Sequence, residues 1–205
     1  MLPKFLYFDL GKVLLDFSVE RMCRQMGEAG GVDPDRVREV LFAGGLQLQY
    51  ETGRLSSREF YEDFCRRTGS RADGDALARA CDDIFWPIPS MLPVVAQLAA
   101  AGHRLGILSN TCEGHWRHCY SRYTILREYF SVYALSYEIG ACKPDAAIFR
   151  RAAELAGVSP EEIFYTDDLA GHIAGAKAAG FDAVVYTSTA ELVGEMHRRG
   201  LKFNY

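Results

Sequence analysis

Four short polar segments carry the residue types that phosphoryl transfer requires. They are Asp9, the pair Ser109-Asn110, Lys143 and the pair Asp167-Asp168. An aspartate can attack phosphorus and become an aspartyl phosphate. Hydroxyl and backbone N–H groups can hold phosphate oxygens, while a lysine neutralises the charge of the transition state. Carboxylates are ligands that Mg²⁺ prefers. The segments therefore predict a nucleophile, a phosphate-binding site and a metal site, if the fold brings them together.

The elements that would position these segments are indicated by apolar runs. Four short runs predict buried parallel strands: Phe5–Phe8, Leu105–Leu108, Ile163–Thr166 and Ala183–Tyr186. A further strand is predicted at Val132–Ser136. Helical patterns follow in Met91–Ala101, Asp145–Ala156, Ile173–Ala179 and Ala190–Arg199. We therefore predict the α/β class, with a doubly wound, Rossmann-like parallel sheet whose carboxyl strand ends bring the polar segments to one edge.

The interval 16–87 has a different pattern, with helix start signals and no convincing strand. Asp33-Pro34 combines a capping residue with a proline at the first helical position, and Ser56 to Glu59 has the pattern of a capping box. Asp73 or Asp75 opens a further predicted helix. We predict an α/β core formed by 1–15 and 88–205 with a helical cap inserted at 16–87. Such an arrangement favours a ligand site in the cleft between the two parts.

Composition limits the classes of function. The chain has 205 residues, of which 49 % are hydrophobic and 24 % are charged, and its net charge is −4. These values are typical of a globular protein and give no indication of nucleic-acid binding. No apolar stretch is long enough to cross a bilayer, and no leader sequence is recognisable at the start. The six cysteines have no CxxC pairing and predict free thiols. We expect a cytoplasmic protein with no membrane and no nucleic-acid partner.

The four segments resemble the motifs of the haloacid dehalogenase (HAD) superfamily of hydrolases, in order and over nearly the whole chain. The matching segments are Phe8-Asp9-Leu10-Gly11-Lys12-Val13, Leu108-Ser109-Asn110-Thr111, Lys143-Pro144 and Asp167-Asp168. The 16–87 interval is similar to the superfamily's helical cap of the first type. Bacterial α-glucose-1-phosphate phosphatases and the amino-terminal phosphatase-like domain of epoxide hydrolases are the subfamilies that it resembles.

The resemblance implies a Mg²⁺-dependent phosphatase acting on a small phosphorylated metabolite, for example a sugar phosphate. It assigns Asp9 as nucleophile, with Ser109 and Lys143 as phosphate ligands. It also implies that Asp9, the backbone carbonyl of Gly11 and chiefly Asp168 hold the metal. Asp167 would assist Asp168 in that role.

Gly11 departs from the family pattern, because efficient phosphatases of the family have an aspartate there that acts as general acid and then base. Glycine can do neither, although the glucose-1-phosphatase subfamily shows a similar glycine. We therefore predict slow turnover, a long-lived phospho-enzyme and substrates whose leaving group needs little protonation.

For His172, and for the pair His115 and Trp116, two interpretations are open. His172 lies where the family usually has Asp or Asn, so it is either a group that orients metal-bound water or an ordinary residue at a helix start. His115 and Trp116 either line the substrate cleft or pack in the interior, and packing is favoured for Trp116.

Two other functions remain as alternatives. The departures at Gly11 and His172 are compatible with a protein that binds a phosphorylated ligand or partner with little or no turnover. A metal-independent 2-haloacid dehalogenase would use the same nucleophile, but it would not need the Asp167-Asp168 pair. The oligomeric state is not predicted.

Overall fold

The computed structural model describes residues 2–205, which form an α/β structure around one parallel sheet. The strands are β1 (Phe5–Phe8), β2 (Leu15–Phe17), β3 (Phe85–Pro87), β4 (Leu105–Ser109), β5 (Val132–Leu135), β6 (Ile163–Asp167) and β7 (Asp182–Val185). Five of them make the main sheet in the order β5-β4-β1-β6-β7, and every neighbouring pair is parallel. The predicted parallel sheet is confirmed, and β1 occupies its centre.

Helices cover both faces of the sheet and continue into an inserted segment. They are α1 (Val19–Gly30), α2 (Pro34–Arg38), α3 (Leu46–Glu51), α4 (Ser57–Thr68), α5 (Gly74–Asp82), α6 (Met91–Ala100), α7 (Glu113–Arg122), α8 (Ile125–Glu128), α9 (Ser136–Ile139), α10 (Ala146–Ala156), α11 (Ala170–Ala178) and α12 (Thr189–Arg198). A π-helical turn over Glu39–Ala43 and a 3₁₀ turn over Pro160–Glu162 complete the elements. The helix predicted from Ile173 begins three residues earlier, so His172 lies inside its first turn.

Strand β1 is apolar throughout because both of its faces are covered. Leu6 and Phe8 pack into one hydrophobic cluster, whereas Phe5 and Tyr7 pack into the cluster on the opposite face. Burial of each such side chain stabilises the fold by about 1.5–3 kcal/mol. On β4, a Cβ at Gly106 would lie 2.6 Å from the Tyr7 ring. The glycine therefore permits this close packing beside the strand that ends at Asp9.

The inserted helices form a cluster of their own, built around Met26, Phe60, Phe64 and Leu77. Their predicted start signals are confirmed in three places, and Asp73 rather than Asp75 caps α5. A side-chain oxygen that accepts a backbone N–H at a helix start contributes about 1 kcal/mol. These caps separate the short helices from the turns between them.

The prediction of no strand between residues 16 and 87 is wrong at both ends of the interval. Strands β2 and β3 form an antiparallel ribbon in which Leu15 pairs with Pro87 and Phe17 with Phe85. Each strand has only three residues, which is too short to give a recognisable alternation. The ribbon joins the points where the chain leaves the sheet and returns to it.

Two observations concern the chain as a whole. The six cysteines are free thiols, as their spacing predicts. Within residues 2–205, no helix has the length and apolar character needed to cross a bilayer.

Candidate active site

Asp9 lies at the carboxyl end of the central strand, where the backbone holds it from two sides. Its N–H donates to the carbonyl of Thr166 on the neighbouring β6 at 2.9 Å. Its carboxylate oxygen Oδ1 accepts the N–H of Leu10 at 2.7 Å. The side chain is almost fully buried. The parallel register therefore fixes the position and direction of this carboxylate.

Lys143 connects Asp9 to the end of β6. Its Nζ lies 3.0 Å from Asp9 Oδ1 and 2.6 Å from Asp167 Oδ2. The same Nζ donates to the Tyr165 hydroxyl at 2.9 Å and to the carbonyl of Leu108 at 3.1 Å. Its side chain has no exposed surface. A buried ammonium is tolerated only when it is paired and hydrogen-bonded in this way.

Among the described groups at this edge of the sheet, the Asp167 carboxylate accepts the most hydrogen bonds. Besides Lys143, its donors are the Tyr165 hydroxyl, the N–H of Leu169 at 2.8 Å and Nδ1 of His172, 3.0 Å from both oxygens. Burial alone would raise the pKa of this carboxyl. The hydrogen bonds from His172 and Lys143 outweigh that effect and hold the pKa well below its usual range. Asp167 is therefore an anion fixed in place by its neighbours.

For two further carboxyls at this edge, neighbouring positive charges and hydrogen bonds do not outweigh the effect of burial on the pKa. Burial and the charge of Asp167 raise the pKa of Asp9 to about 7, against the opposing effect of Lys143. Burial and the same neighbouring charge also raise the pKa of the half-buried Asp168. Asp9 and Asp167 thus share one lysine, and Asp168 adds a third carboxyl to this edge. The negative charge in excess favours a bound cation.

Ligand atoms of Asp9, Asp167 and His172 lie within 4.8 Å of one another. Asp168 does not belong to this group. Among the described residues, no other side chain donates a hydrogen bond to its carboxylate, so the carboxylate is free to bind a ligand. The donor set is dominated by carboxylate oxygens, which suits a hard divalent cation. The predicted metal residues therefore fit such an ion chemically, with Asp167 already held by Lys143 and His172.

The loop after β4 places Ser109 and Asn110 beside Lys143. The Asn110 amide accepts the N–H of Lys143 at 2.7 Å and donates to the carbonyl of Lys143 at 3.0 Å. Both bonds hold the lysine's backbone, a role that its sequence position alone did not indicate. The Ser109 hydroxyl makes only a long contact, 3.4 Å, with the carbonyl of Asn110. It is therefore available to a ligand oxygen.

Gly11 is covered by the ring of Phe17, which comes from β2. A Cβ at Gly11 would lie 2.8 Å from Cε1 of that ring. The Lys12 ammonium lies 4.9 Å from the centre of the same ring and donates to the carbonyl of Phe17 at 3.0 Å. The ring therefore occupies space that a side chain at position 11 would need.

A cavity of about 250 Å³ lies between this sheet edge and the inserted helices. Gly11, Ser109 and Asn110 line it on the sheet side. Phe17 and Phe42 line the opposite side, together with Gln47 and Glu51, which sequence reasoning missed. The only sequence signal for the last two was the i, i+4 spacing of Gln47 and Glu51 on one helix face. A larger groove, about 950 Å³, runs between α4, α5 and α7 and contains none of the predicted site residues.

His115 and Trp116 point to different surroundings. His115 lines the 250 Å³ cavity and is buried, with its ring 5.2 Å from that of Phe85. Burial lowers the pKa of His115 to about 4, so its imidazole is neutral near pH 7. Trp116 packs against Tyr120 and Tyr133, which confirms the packing interpretation for that residue.

Comparisons with known proteins agree with this arrangement. A family model for haloacid dehalogenase-like hydrolases matches residues 4–180. The glyceraldehyde 3-phosphate phosphatase of Methanopyrus kandleri is 32% identical over 170 residues, which cover 78% of this chain and 71% of that protein. The D-ribitol-5-phosphate phosphatase of Bacteroides thetaiotaomicron is 25% identical over 188 residues, covering 87% and 89%.

A solved structure adds the comparison in three dimensions. It is a HAD family enzyme from Bacteroides thetaiotaomicron, crystallised with magnesium and inorganic phosphate. It superposes with a TM-score of 0.80 at 26% identity and covers 89% of this chain and 93% of that chain. The chain belongs to the haloacid dehalogenase-like hydrolases, as its four motifs predict.

Proposed function

We propose that this hydrolase is a Mg²⁺-dependent phosphatase of a small phosphorylated sugar or polyol. The observation that carries the proposal is the Lys143 ammonium between Asp9 and Asp167, at 3.0 and 2.6 Å. That arrangement supports a role for Asp9 as the nucleophile and for Lys143 as the cation beside the phosphate. The relatives named as phosphatases of glyceraldehyde 3-phosphate and D-ribitol 5-phosphate support this class of substrate.

The proposed reaction uses residues already fixed by the sheet. Asp9 attacks phosphorus, so that an O–P bond to its carboxylate forms while the bond to the leaving oxygen breaks. Lys143 neutralises charge on the phosphoryl oxygens, and Ser109 and Asn110 bind them through their hydroxyl and N–H groups. Water then hydrolyses the aspartyl phosphate and regenerates Asp9.

The proposed metal residues are Asp9, the Gly11 carbonyl, Asp168 and the assisting Asp167. Bound Mg²⁺ would supply neutralisation of the negative charge shared by phosphate and carboxylates. His172 has an outer role in this proposal, because its Nδ1 bonds Asp167 and so orients that carboxyl.

The helical residues 16–87 are proposed to act as a cap over the cavity. The chain crosses between sheet and helices only through the ribbon of β2 and β3, and helix residues line the cavity opposite the sheet edge. Because Gly11 cannot donate a proton, any acid must act from another part of the cavity wall, and we also propose slower turnover and a longer-lived phospho-enzyme than an aspartate at position 11 would give.

A substrate panel tests the proposal. Purified protein is assayed against sugar, polyol, nucleotide and acyl phosphates, with Mg²⁺ or with EDTA, beside Asp9→Asn. We expect phosphate release from a sugar or polyol phosphate that requires Mg²⁺ and is lost in Asp9→Asn. Release of halide from a 2-haloacid in EDTA would instead support the dehalogenase. Tight binding of phosphorylated ligands without any phosphate release would support the non-catalytic alternative.

A further inference from the structure

The sheet edge lacks an acid for the leaving group. Position 11 is a glycine, and the Phe17 ring lies 2.8 Å from where its Cβ would be. Among the sheet-side residues that line the cavity, none carries a carboxyl side chain. His115 is kept neutral, since burial lowers its pKa to about 4. A proton for the leaving oxygen must therefore come from elsewhere in the cavity wall.

Glu51 is the only carboxyl among the described residues that line this cavity. It ends α3, and Gln47 donates to its Oε1 through Nε2 at 2.8 Å. No ion pair to Glu51 forms within residues 2–205, and burial raises the pKa of its carboxyl. These surroundings favour the protonated form of the carboxyl. Glu51 therefore has the character of a proton donor.

The backbone of Glu51 is fixed to the sheet side of the molecule. Its carbonyl accepts the Ser136 hydroxyl at 2.6 Å, and that hydroxyl also accepts the N–H of Thr111 at 2.9 Å. At Gly53, with φ +66°, a Cβ would lie 2.1 Å from the carbonyl oxygen of Tyr137. Only glycine allows the turn after α3 to approach so closely. The backbone that carries the carboxyl is thus held at a defined position relative to the loop after β4, and Gln47 orients the carboxyl itself.

We propose that Glu51 is the acid and base that position 11 lacks, a role that rests on the proposed function. As Asp9 attacks, the Glu51 carboxyl gives its proton to the leaving oxygen, so the product leaves as an alcohol. The resulting carboxylate takes a proton from the water that attacks the aspartyl phosphate. The proton thereby returns to Glu51, and the net reaction is hydrolysis.

Gln47 points to the chemical class of the leaving group. It lines the cavity, yet its Oε1 is buried and has no hydrogen-bond partner among the described residues. Buried acceptors without a partner are rare, and a hydroxyl next to the leaving oxygen would supply the donor. The pair Gln47 and Glu51 therefore fits a phosphorylated polyol or sugar, whose alkoxide leaving group also needs a proton. This inference replaces the expectation, drawn from Gly11 alone, of a leaving group that needs little protonation.

The test compares two leaving groups in Glu51→Gln, an almost isosteric change. D-ribitol 5-phosphate releases an alkoxide, whereas p-nitrophenyl phosphate releases a stable phenolate that needs no acid. We expect the rate of aspartyl-phosphate formation, followed by rapid quenching, to fall by about 10²–10⁴ with the first substrate, the usual contribution of general acid–base catalysis, and to change little with the second. Hydrolysis of the aspartyl phosphate should slow equally with both, because that step uses Glu51 as the base. Glu62→Gln, an exposed position on α4, is the matched control and should leave both rates unchanged.

Other outcomes overturn the proposal in distinguishable ways. Equal losses in the rate of aspartyl-phosphate formation from both substrates would mean that Glu51 only positions the cavity wall, and no loss in either step would exclude it from the reaction. If the wild-type protein hydrolyses neither phosphate, the proposed function itself fails. Glu51→Asp, which keeps the carboxyl, should recover part of the lost rate with ribitol phosphate. Circular dichroism of each variant confirms that it is folded.

Discussion

The two walls of the cavity are built on different principles. On the sheet side, Asp9, Lys143 and Asp167 form one buried charged network in which every member has a partner at 3.0 Å or less. On the helical side, Phe17 is apolar and Glu51 has a single hydrogen-bond donor, Gln47. On the sheet side, the parallel register of the strands fixes the positions of these groups. The helical side depends on how a few short elements pack.

This difference separates the parts of the reaction. The groups proposed to bind phosphate lie at or beside strand ends, where the parallel register fixes the backbone. Groups that would contact the rest of the substrate stand on the helical segment, where they can differ between relatives of one fold. A shared fold therefore supports a shared chemistry while leaving the substrate to be determined by the helical wall.

The largest contrast is expected from removal of the charge at Lys143. In Lys143→Met, the free energy of unfolding should fall by about 3–5 kcal/mol, because buried carboxylates lose their cation. Glu51→Gln, on the opposite wall, should change it by less than about 1 kcal/mol, since the lost group has no ionic partner. Urea denaturation at pH 7 measures both. The control Lys177→Met removes an exposed lysine of α11, and a loss there equal to that at Lys143 would contradict the contrast.

A second contrast concerns pH at the contact between α5 and α7. His115 Nε2 lies 3.9 Å from Asp82 Oδ1. Burial lowers the pKa of His115 to about 4 and raises that of Asp82 to about 7. A buried histidine with a lowered pKa loses stability as pH falls from its unfolded value toward 4. An aspartate with a raised pKa loses stability as pH rises from its unfolded value toward 7.

The two effects oppose one another. Replacing Asp82 should therefore reveal the pH dependence caused by His115, and replacing His115 should reveal that caused by Asp82. In Asp82→Asn the free energy of unfolding should decrease by about 3 kcal/mol from pH 7 to pH 4. In His115→Gln it should instead decrease by a similar amount from pH 4 to pH 7. The wild-type protein should vary less than either over this interval. Urea denaturation at several pH values between 4 and 7 measures these free energies. The same dependence of the unfolding free energy on pH in both variants would contradict the prediction.

The smallest effect is expected where the two walls touch. Gly11→Asp should lower the free energy of unfolding by about 1–3 kcal/mol, because the new side chain overlaps the Phe17 ring. Phe17→Ala removes the obstacle, so the double variant should lose less than the sum of the single changes. A double-mutant cycle by thermal or urea unfolding gives the coupling. Additive losses would show that the ring does not exclude a side chain at position 11.

The sequence predicted the sheet wall better than the helical wall. Asp9, Ser109 and Asp167 were found because each follows a strand, and parallel strand ends must meet at one edge. The role of Asn110 in holding the Lys143 backbone was not predicted, since it depends on loop geometry. The position of the Phe17 ring was not predicted either. Its contact with Gly11 follows from a three-residue ribbon that has no periodic signature.

Glu51 was missed for a related reason. A glutamate near the end of a short helix is usually exposed to solvent, and its i, i+4 spacing from Gln47 resembles that of the exposed pair Arg58 and Glu62. Its position in the cavity wall results from the Ser136 hydroxyl and the close approach at Gly53. Such contacts join segments about 85 residues apart, and no local pattern in the sequence records them.

The most direct test of the account is whether phosphate becomes attached to Asp9. The protein is mixed with radiolabelled substrate and Mg²⁺, quenched in acid within the first turnover, digested and analysed by mass spectrometry. The account predicts an acid-stable, base-labile phosphoryl group on the peptide that contains Asp9, absent from Asp9→Asn and longer-lived in Glu51→Gln. Hydrolysis at an undiminished rate by Asp9→Asn, with no labelled protein at any time, would contradict it.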